Sequence, residues 1–199
     1  SSVAKLLIQR SPRHAWLAHP KLGGKDTEED EPSDALRMGS AVHRLMLGKG
    51  SDIDVIHAGS WRSKEAREAW DQAIAAGLIP LLAPESDKAD IIATGARAQL
   101  DAMGYKDAYR ECRKEVVLIW QEDGLWFRAM LDALQIDERL KTAQIRDLKT
   151  VGRSSHPAAC AKQIADLGYD LSLAFYKRGL VALRPELAGR VKCVWDFLE

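Results

Sequence analysis

Hydrophobic residues in the first half of the chain recur with the 3.6-residue period of helices. Over residues 63–76, apolar side chains three and four positions apart predict an amphipathic helix. The same period predicts a helix over 86–103 and an earlier one, capped by Ser33 or Asp34, that runs to about Gly48. The first half is therefore predicted to be mainly helical.

The segments before and between these helices are less regular. The chain opens with a short helical pattern that stops near Pro12, and an aromatic and basic stretch follows it. Residues 22–34 (LGGKDTEEDEPSD) are rich in glycine and acids, which predicts a loop. A short strand is predicted within residues 51–60.

The second half begins with β-type segments. Residues 114–121 are rich in β-branched and aromatic side chains, and the turn 122–124 (Glu-Asp-Gly) predicts a hairpin to a return strand over 125–136. A third strand is predicted over 144–151. Together they predict an antiparallel meander.

The helical period then returns. Ser154 or Ser155 is the predicted cap of a helix that ends near Gly168, a second helix covers about 170–183, and residues 191–198 predict a fourth core strand. This order of elements predicts an α/β fold with a mixed central sheet, the meander at its centre and helices flanking it.

Composition fits a single domain of 199 residues, with a mainly helical N-terminal part over 1–110 and a sheet core over 111–199. The 29 basic and 29 acidic residues balance, which counts mildly against nucleic acid as a partner, although a local groove can still be basic. Three cysteines without a C-x-x-C pair fit a reducing cytoplasm, and no apolar run approaches the ~20 residues of a membrane span.

Candidate chemistry lies at Asp132, Asp147 and Lys149. Asp147 and Lys149 are two residues apart, so in a strand both side chains lie on one face, and Asp132 joins them if its strand pairs alongside. Two carboxylates and one lysine are the minimal equipment for metal-assisted phosphodiester hydrolysis. The alternative is a solvated strand face or a surface ion pair, because D-x-K is a common tripeptide.

Five segments in order resemble the PD-(D/E)XK nucleases, which have a restriction-endonuclease-like core. They are GSAVH (39–43), KEVVLIW (114–120), the strand that ends in Asp132, DLKT (147–150) and GYDLSLAFY (168–176). Within that superfamily the chain is most similar to the RecE-type exonucleases (exodeoxyribonuclease VIII) and their phage relatives.

The resemblance implies a role for each matching residue. His43, Asp132, Asp147 and the carbonyl of Leu148 would hold Mg²⁺ or Mn²⁺, and Lys149 would be the catalytic lysine. The simpler interpretation of His43, which shares a helix face with Leu36 and Leu47, is a core or cap histidine.

Three further residues match the family outside the metal site. Glu115 matches a glutamate that points toward the site, and Tyr169 and Tyr176 match tyrosines that contact DNA or brace the site. Glu115 could instead be a strand-edge charge paired with an arginine, and packing is the alternative role for Tyr176.

The sequence departs from the family pattern in two places. Leu131 and Met130 stand where relatives have a proline and, before it, a basic residue, which leaves Arg128 as the nearest basic candidate for DNA contact. Ser172 replaces a glutamine in the helix motif. These departures concern DNA contacts and rate rather than the metal ligands.

The resemblance implies a Mg²⁺- or Mn²⁺-dependent 5′→3′ exonuclease on double-stranded DNA that serves phage or prophage recombination. It also implies a single-strand annealing partner and a ring-shaped homo-oligomer. A structure-specific endonuclease and a non-catalytic DNA-end or protein-binding module remain open alternatives.

Overall fold

The computed structural model describes residues 2–19, 32–105, 108–152 and 154–199. Most of the predicted loop over 22–34 lies outside them. The chain forms two compact units, and each is described by itself. The described residues of the first unit are 2–19, 115–147 and 154–195, and those of the second are 32–105, 108–114, 148–152 and 196–199.

Seven helices and six strands make up the described chain. The helices are α1 (Ser2–Gln9), α2 (Pro12–Leu17), α3 (Asp34–Leu47), α4 (Lys64–Ala75), α5 (Ala83–Ala102), α6 (Pro157–Leu167) and α7 (Tyr169–Leu183). The strands are β1 (Ile53–Ile56), β2 (Ile79–Leu82), β3 (Arg113–Glu122), β4 (Leu125–Asp137), β5 (Thr142–Thr150) and β6 (Val191–Leu198). No helix in the described part of the chain has the length and apolar character to cross a membrane.

The predicted mixed sheet with an antiparallel meander is confirmed. Its strand order is β3-β4-β5-β6, and β4 pairs antiparallel with β5. The hairpin turn between β3 and β4 has positive φ at both Asp123 (47°) and Gly124 (77°), as a type I′ turn requires. The N–H of Ala143 donates to the carbonyl of Arg190 at one end of β5, which brings the start of β6 beside the start of β5.

Large apolar side chains from the sheet and from α7 form the core of the first unit. Leu131, Ile145 and Leu180 are at most 2% exposed, and the Trp120 ring stacks on Phe127 with centroids 5.4 Å apart. Because Trp120 lies in β3 and Leu180 in α7, this cluster fixes the helix against the sheet.

Gly179 is the point where α7 approaches the sheet most tightly. A Cβ at this position would lie 2.6 Å from the Trp120 ring, closer than van der Waals contact allows. We expect Gly179→Ala to lower the free energy of unfolding by about 1–3 kcal/mol in urea denaturation, because the core would be overpacked. The matched control is Gly95→Ala in α5, where no atom lies within 4 Å of the added methyl group. This control should be stabilising by about 0.5–1 kcal/mol, and equal effects of both substitutions would contradict the packing argument.

The second unit packs α3, α4 and α5 around the parallel pair β1–β2, in which Ile53 is opposite Ile79. Its centre holds a buried guanidinium, that of Arg37, which is 3% exposed. Arg37 donates to the carbonyl of Pro80 at 3.0 Å and to Glu85 at 3.2 Å. Two tryptophan rings cover it, with centroids 5.1 and 4.7 Å from the guanidinium carbon; they belong to Trp61 and Trp70.

Several local predictions were wrong or incomplete. Strand β2 and helix α2 were not predicted, and α5 begins at Ala83 rather than at 86 because Glu85 accepts from the backbone N–H of Leu82 at 2.9 Å. The N-cap of α6 is His156, not Ser154 or Ser155; its ring nitrogen accepts from the N–H of Ala158. The predicted cap at Ser33, by contrast, is formed by its side chain, which accepts from the N–H of Leu36. The side chain of Ser63 also caps its helix, although that cap was not predicted.

One apolar residue is more exposed than the sequence pattern indicated. Leu36, which the helical pattern placed on the face of His43 and Leu47, is 61% exposed, whereas Leu47 is buried.

Candidate active site

The two candidate carboxylates lie on neighbouring strands of the sheet. The antiparallel ladder of β4 and β5 runs from Asp137–Thr142 to Ala133–Arg146, so Asp132 and Asp147 each stand one residue beyond its last pair. Asp132 was grouped with Asp147 on the condition that their strands pair, and β4 does pair with β5.

Strand β4 changes its facing pattern at Asp132. Leu131 and Leu134 both belong to the apolar core cluster, although they are three positions apart in the strand and strict alternation would direct them to opposite faces. A shift by one residue is typical of β-bulges, which re-aim side chains and occur often next to active sites. Asp132 itself is half-buried.

Asp147 and Lys149 both lie in β5, so the alternation of the strand directs their side chains to one face. Asp147 is only 2% exposed, and Lys149 is half-buried. The Lys149 ammonium donates to the carbonyl oxygen of Leu148 at 3.1 Å. The boundary between the two units passes between Asp147 and Leu148.

In the second unit, α3 approaches the end of β5 at a glycine. A Cβ on Gly39 would lie 3.1 Å from the hydroxyl oxygen of Thr150, so a larger residue would push the helix away from the residue that follows Lys149. His43 is four residues after Gly39 and therefore lies on the same side of the helix, one turn further along. Helix α3 therefore approaches β5 closely at Gly39, the first residue of the G-x-x-x-H segment.

Glu115 has an unusual backbone conformation near the start of β3. Its φ is 51°, in the left-handed region that non-glycine residues seldom adopt and that costs about 1–3 kcal/mol. Such residues cluster at functional sites, because the surrounding structure must hold them in place. This conformation favours a positional role for Glu115 over that of an ordinary strand residue.

The two candidate tyrosines of α7 lie in different environments. The Lys5 ammonium lies 5.3 Å from the ring centroid of Tyr169, and Tyr176 packs against the core of the first unit. Arg128 is exposed. Of the residues that depart from the family pattern, Leu131 is fully buried and Ser172 is 5% exposed, whereas Met130 is 48% exposed.

The donor set fits a hard divalent cation. Asp132 and Asp147 offer carboxylate oxygens on neighbouring strands of the first unit. Mg²⁺ is commonly held by only one or two carboxylates together with waters and substrate phosphates. In the described part of the chain, no three His, Cys, Asp or Glu side chains cluster closely enough to hold a metal by themselves. Whether His43 completes the site stays a prediction.

The cysteines supply no alternative chemistry. Cys112 and Cys160 are buried thiols that donate to the carbonyls of Ala108 and Ser155. Burial raises the pKa of the Cys193 thiol, which is the opposite of the lowered pKa that a nucleophilic cysteine needs.

The sequence matches one family model over nearly its whole length. The PD-(D/E)XK nuclease superfamily model covers residues 7–196 and so includes all of the candidate residues. No curated protein and no solved structure matches the sequence. On the strength of a family match that spans both structural units, the chain belongs to the PD-(D/E)XK nuclease superfamily.

Proposed function

We propose that this protein is a Mg²⁺- or Mn²⁺-dependent exonuclease that degrades double-stranded DNA from a free end, in the 5′→3′ direction. Membership of a nuclease superfamily indicates hydrolysis of phosphodiester bonds in nucleic acid. The observation that supports the proposal is the antiparallel pairing of β4 with β5, because Asp132 and Asp147 each stand one residue beyond the last pair of that ladder and Lys149 follows in β5.

In this proposal, Asp132, Asp147 and the carbonyl of Leu148 hold the ion, and His43 of α3 is a further ligand. When bound, the ion would neutralise charge on the scissile phosphate and lower the pKa of the attacking water. The carboxylates also fix the place of reaction, because both come from paired strands whose backbone is held by the sheet. Glu115, held in its left-handed conformation, is proposed to support the same site.

Lys149 is proposed to orient the attacking water. Its ammonium donates to the carbonyl of Leu148 at 3.1 Å, which holds the lysine next to the proposed carbonyl ligand. A lysine ammonium has three donors, so this bond is compatible with further donation to water or to a phosphate oxygen. The lysine thus acts by positioning and by charge stabilisation, without binding the metal.

Exonuclease action, rather than endonuclease action, rests on the resemblance of GSAVH, DLKT and GYDLSLAFY to RecE-type enzymes. The same resemblance supports a role in phage-type recombination, a single-strand annealing partner and a homo-oligomer. Arg128 and Tyr169 are the proposed contacts to the DNA strand.

The direct test is whether cleavage requires a free DNA end. We expect linear duplex DNA to be degraded with Mg²⁺ or Mn²⁺, and covalently closed circular DNA of the same sequence to survive, because only the linear form offers an end. EDTA should stop the reaction, and Ca²⁺ should not support it, since its looser coordination positions water poorly. Gel electrophoresis of DNA labelled at the 5′ or the 3′ end measures both the loss and its direction.

Each other outcome rejects a different part of the proposal. Rapid nicking of the closed circle would indicate an endonuclease with the same site. Intact DNA of both forms, with binding retained, would indicate a non-catalytic DNA-end-binding protein. Loss of the 3′ label before the 5′ label would keep the exonuclease and reverse its polarity.

A further inference from the structure

The second unit contains a pocket of about 490 Å³ to which the metal site gives no role. Its walls come from the end of α3, the last two turns of α5 and the segment that leads into β3. A volume of 300–1,000 Å³ is typical of sites for small ligands or for one unit of a larger one.

Positive charge is concentrated in this pocket. Arg97, Arg110 and Lys114 line it, and Asp101 is the one carboxylate among its lining residues in the described chain. The whole sequence has equal numbers of basic and acidic residues, 29 of each, so the excess of cations here is local. A locally basic concavity in a neutral protein is what recognition of a phosphate-bearing ligand requires.

Hydrogen bonds hold part of the pocket surface in place. A guanidinium N–H of Arg97 donates to the backbone carbonyl of Leu45 in α3, which engages one of its five donors and anchors the planar group beside the pocket. On the wall, buried Tyr109 donates its hydroxyl to Asp196 at the end of β6. Tyr105, which is 43% exposed, adds an aromatic surface of the kind on which nucleic-acid bases stack.

We propose that this pocket binds the sugar-phosphate backbone of the DNA strand, as a second contact separate from the metal site. The inference rests on the proposed function, since it assumes a DNA substrate. It adds Arg97, Arg110 and Lys114 to the residues that hold the strand. Backbone contacts carry no sequence preference, which suits an enzyme that degrades DNA from its ends.

The test measures the salt dependence of DNA binding. Fluorescence anisotropy with a labelled duplex in EDTA gives the dissociation constant without cleavage. Each phosphate contact contributes about 0.9 to the slope of log affinity against log salt concentration. We therefore expect the double variant Arg110→Ala/Lys114→Ala to lower this slope by about 1.8 and to weaken binding at 50 mM salt by at least ~10-fold.

A matched control removes the same charge from the same unit. The double variant Lys64→Ala/Lys88→Ala loses two exposed lysines of α4 and α5 outside the pocket, and its slope should equal that of the wild type. Both variants should keep the thermal unfolding midpoint of the wild type. An unchanged midpoint separates lost contacts from lost folding.

The outcomes distinguish the pocket from the active site. A wild-type protein that cleaves linear DNA with Mg²⁺, but whose slope is unaffected by the pocket variant, would overturn the pocket and leave the exonuclease intact. Equal losses in both double variants would indicate a general charge effect and also overturn it. Stabilisation of the wild type by a free deoxymononucleotide, lost in the pocket variant without a change in slope, would assign the pocket to a small nucleotide instead of the strand. Failure of the wild type to cleave either DNA form is the separate result that rejects the proposed function.

Discussion

Replacing Asp147 by asparagine is expected to abolish metal-dependent cleavage, with a fall in kcat of at least ~1,000-fold. Asparagine keeps the size of the side chain but removes the charge that a hard cation needs, and such an ion contributes several kcal/mol to transition-state stabilisation. Each 1.36 kcal/mol corresponds to a factor of ten in rate. Isothermal titration with Mn²⁺ should show weakened binding in the same variant, so both readouts change together.

A substitution of the same chemistry outside the site controls for the loss of a charge. Asp123→Asn changes the hairpin turn, where φ is 47° and asparagine is as well suited as aspartate. This variant should cleave DNA and bind Mn²⁺ like the wild type. If Asp147→Asn loses cleavage but keeps full Mn²⁺ affinity, Asp147 is not a metal ligand and its role must be reassigned.

Local signals were sufficient for most of the fold. The Asp123–Gly124 turn fixed the hairpin, since only residues that tolerate positive φ suit a two-residue connection. Ser33 and Ser63 were predictable as helix starts because a serine before an apolar period accepts the orphan N–H groups of the first turn. These features depend on a few neighbouring residues, which the sequence displays directly.

The missed elements depend on tertiary contacts. Strand β2 contains Pro80, and a proline within a run argues against a strand because it cannot donate a ladder hydrogen bond. The strand nevertheless pairs in parallel with β1, with Pro80 opposite Asp54, and Pro80 is almost fully buried. The burial of Arg37 could not be predicted from the sequence either, because its partners Glu85 and Trp61 lie far along the chain. No local pattern distinguishes a buried arginine from a surface arginine on a helix.

The candidate site was predictable in parts. Spacing within one strand related Asp147 to Lys149, and the hairpin order made pairing of their strand with that of Asp132 a reasonable expectation. His43 was identified as a candidate only because GSAVH resembles the family motif. Its convergence with the carboxylates stays a prediction. The basic pocket could not be found from sequence, because its cations lie on separate segments that only folding brings together.

Two of the residues that depart from the family pattern are buried in this fold. Leu131 is fully buried in the core next to Asp132, so the position that is a proline in relatives here contributes apolar packing. Ser172 is 5% exposed, and a serine hydroxyl needs less space than a glutamine amide. Both residues are buried in the first unit, and neither is among the proposed metal ligands.

Replacing Lys149 by alanine is expected to separate catalysis from metal binding. The variant should lose at least ~100-fold in kcat, because general acid–base or positioning groups contribute about 10²–10⁴-fold. Its affinity for Mn²⁺ should stay within about twofold of the wild type, since the lysine ammonium carries no lone pair and cannot be a ligand. Loss of the 3.1 Å bond to Leu148 leaves that carbonyl oxygen in place on the strand backbone.

The matched control for this substitution is Lys192→Ala, which removes an exposed lysine from β6 in the same sheet. It should retain the wild-type rate and metal affinity, so that a loss in Lys149→Ala cannot be attributed to net charge. Single-turnover cleavage with saturating DNA separates the chemical step from substrate binding. Unchanged single-turnover cleavage by Lys149→Ala would remove the lysine from the mechanism. A parallel loss of Mn²⁺ affinity would instead assign it to the support of the Leu148 carbonyl, because the ammonium would then act by positioning a ligand and not by orienting water.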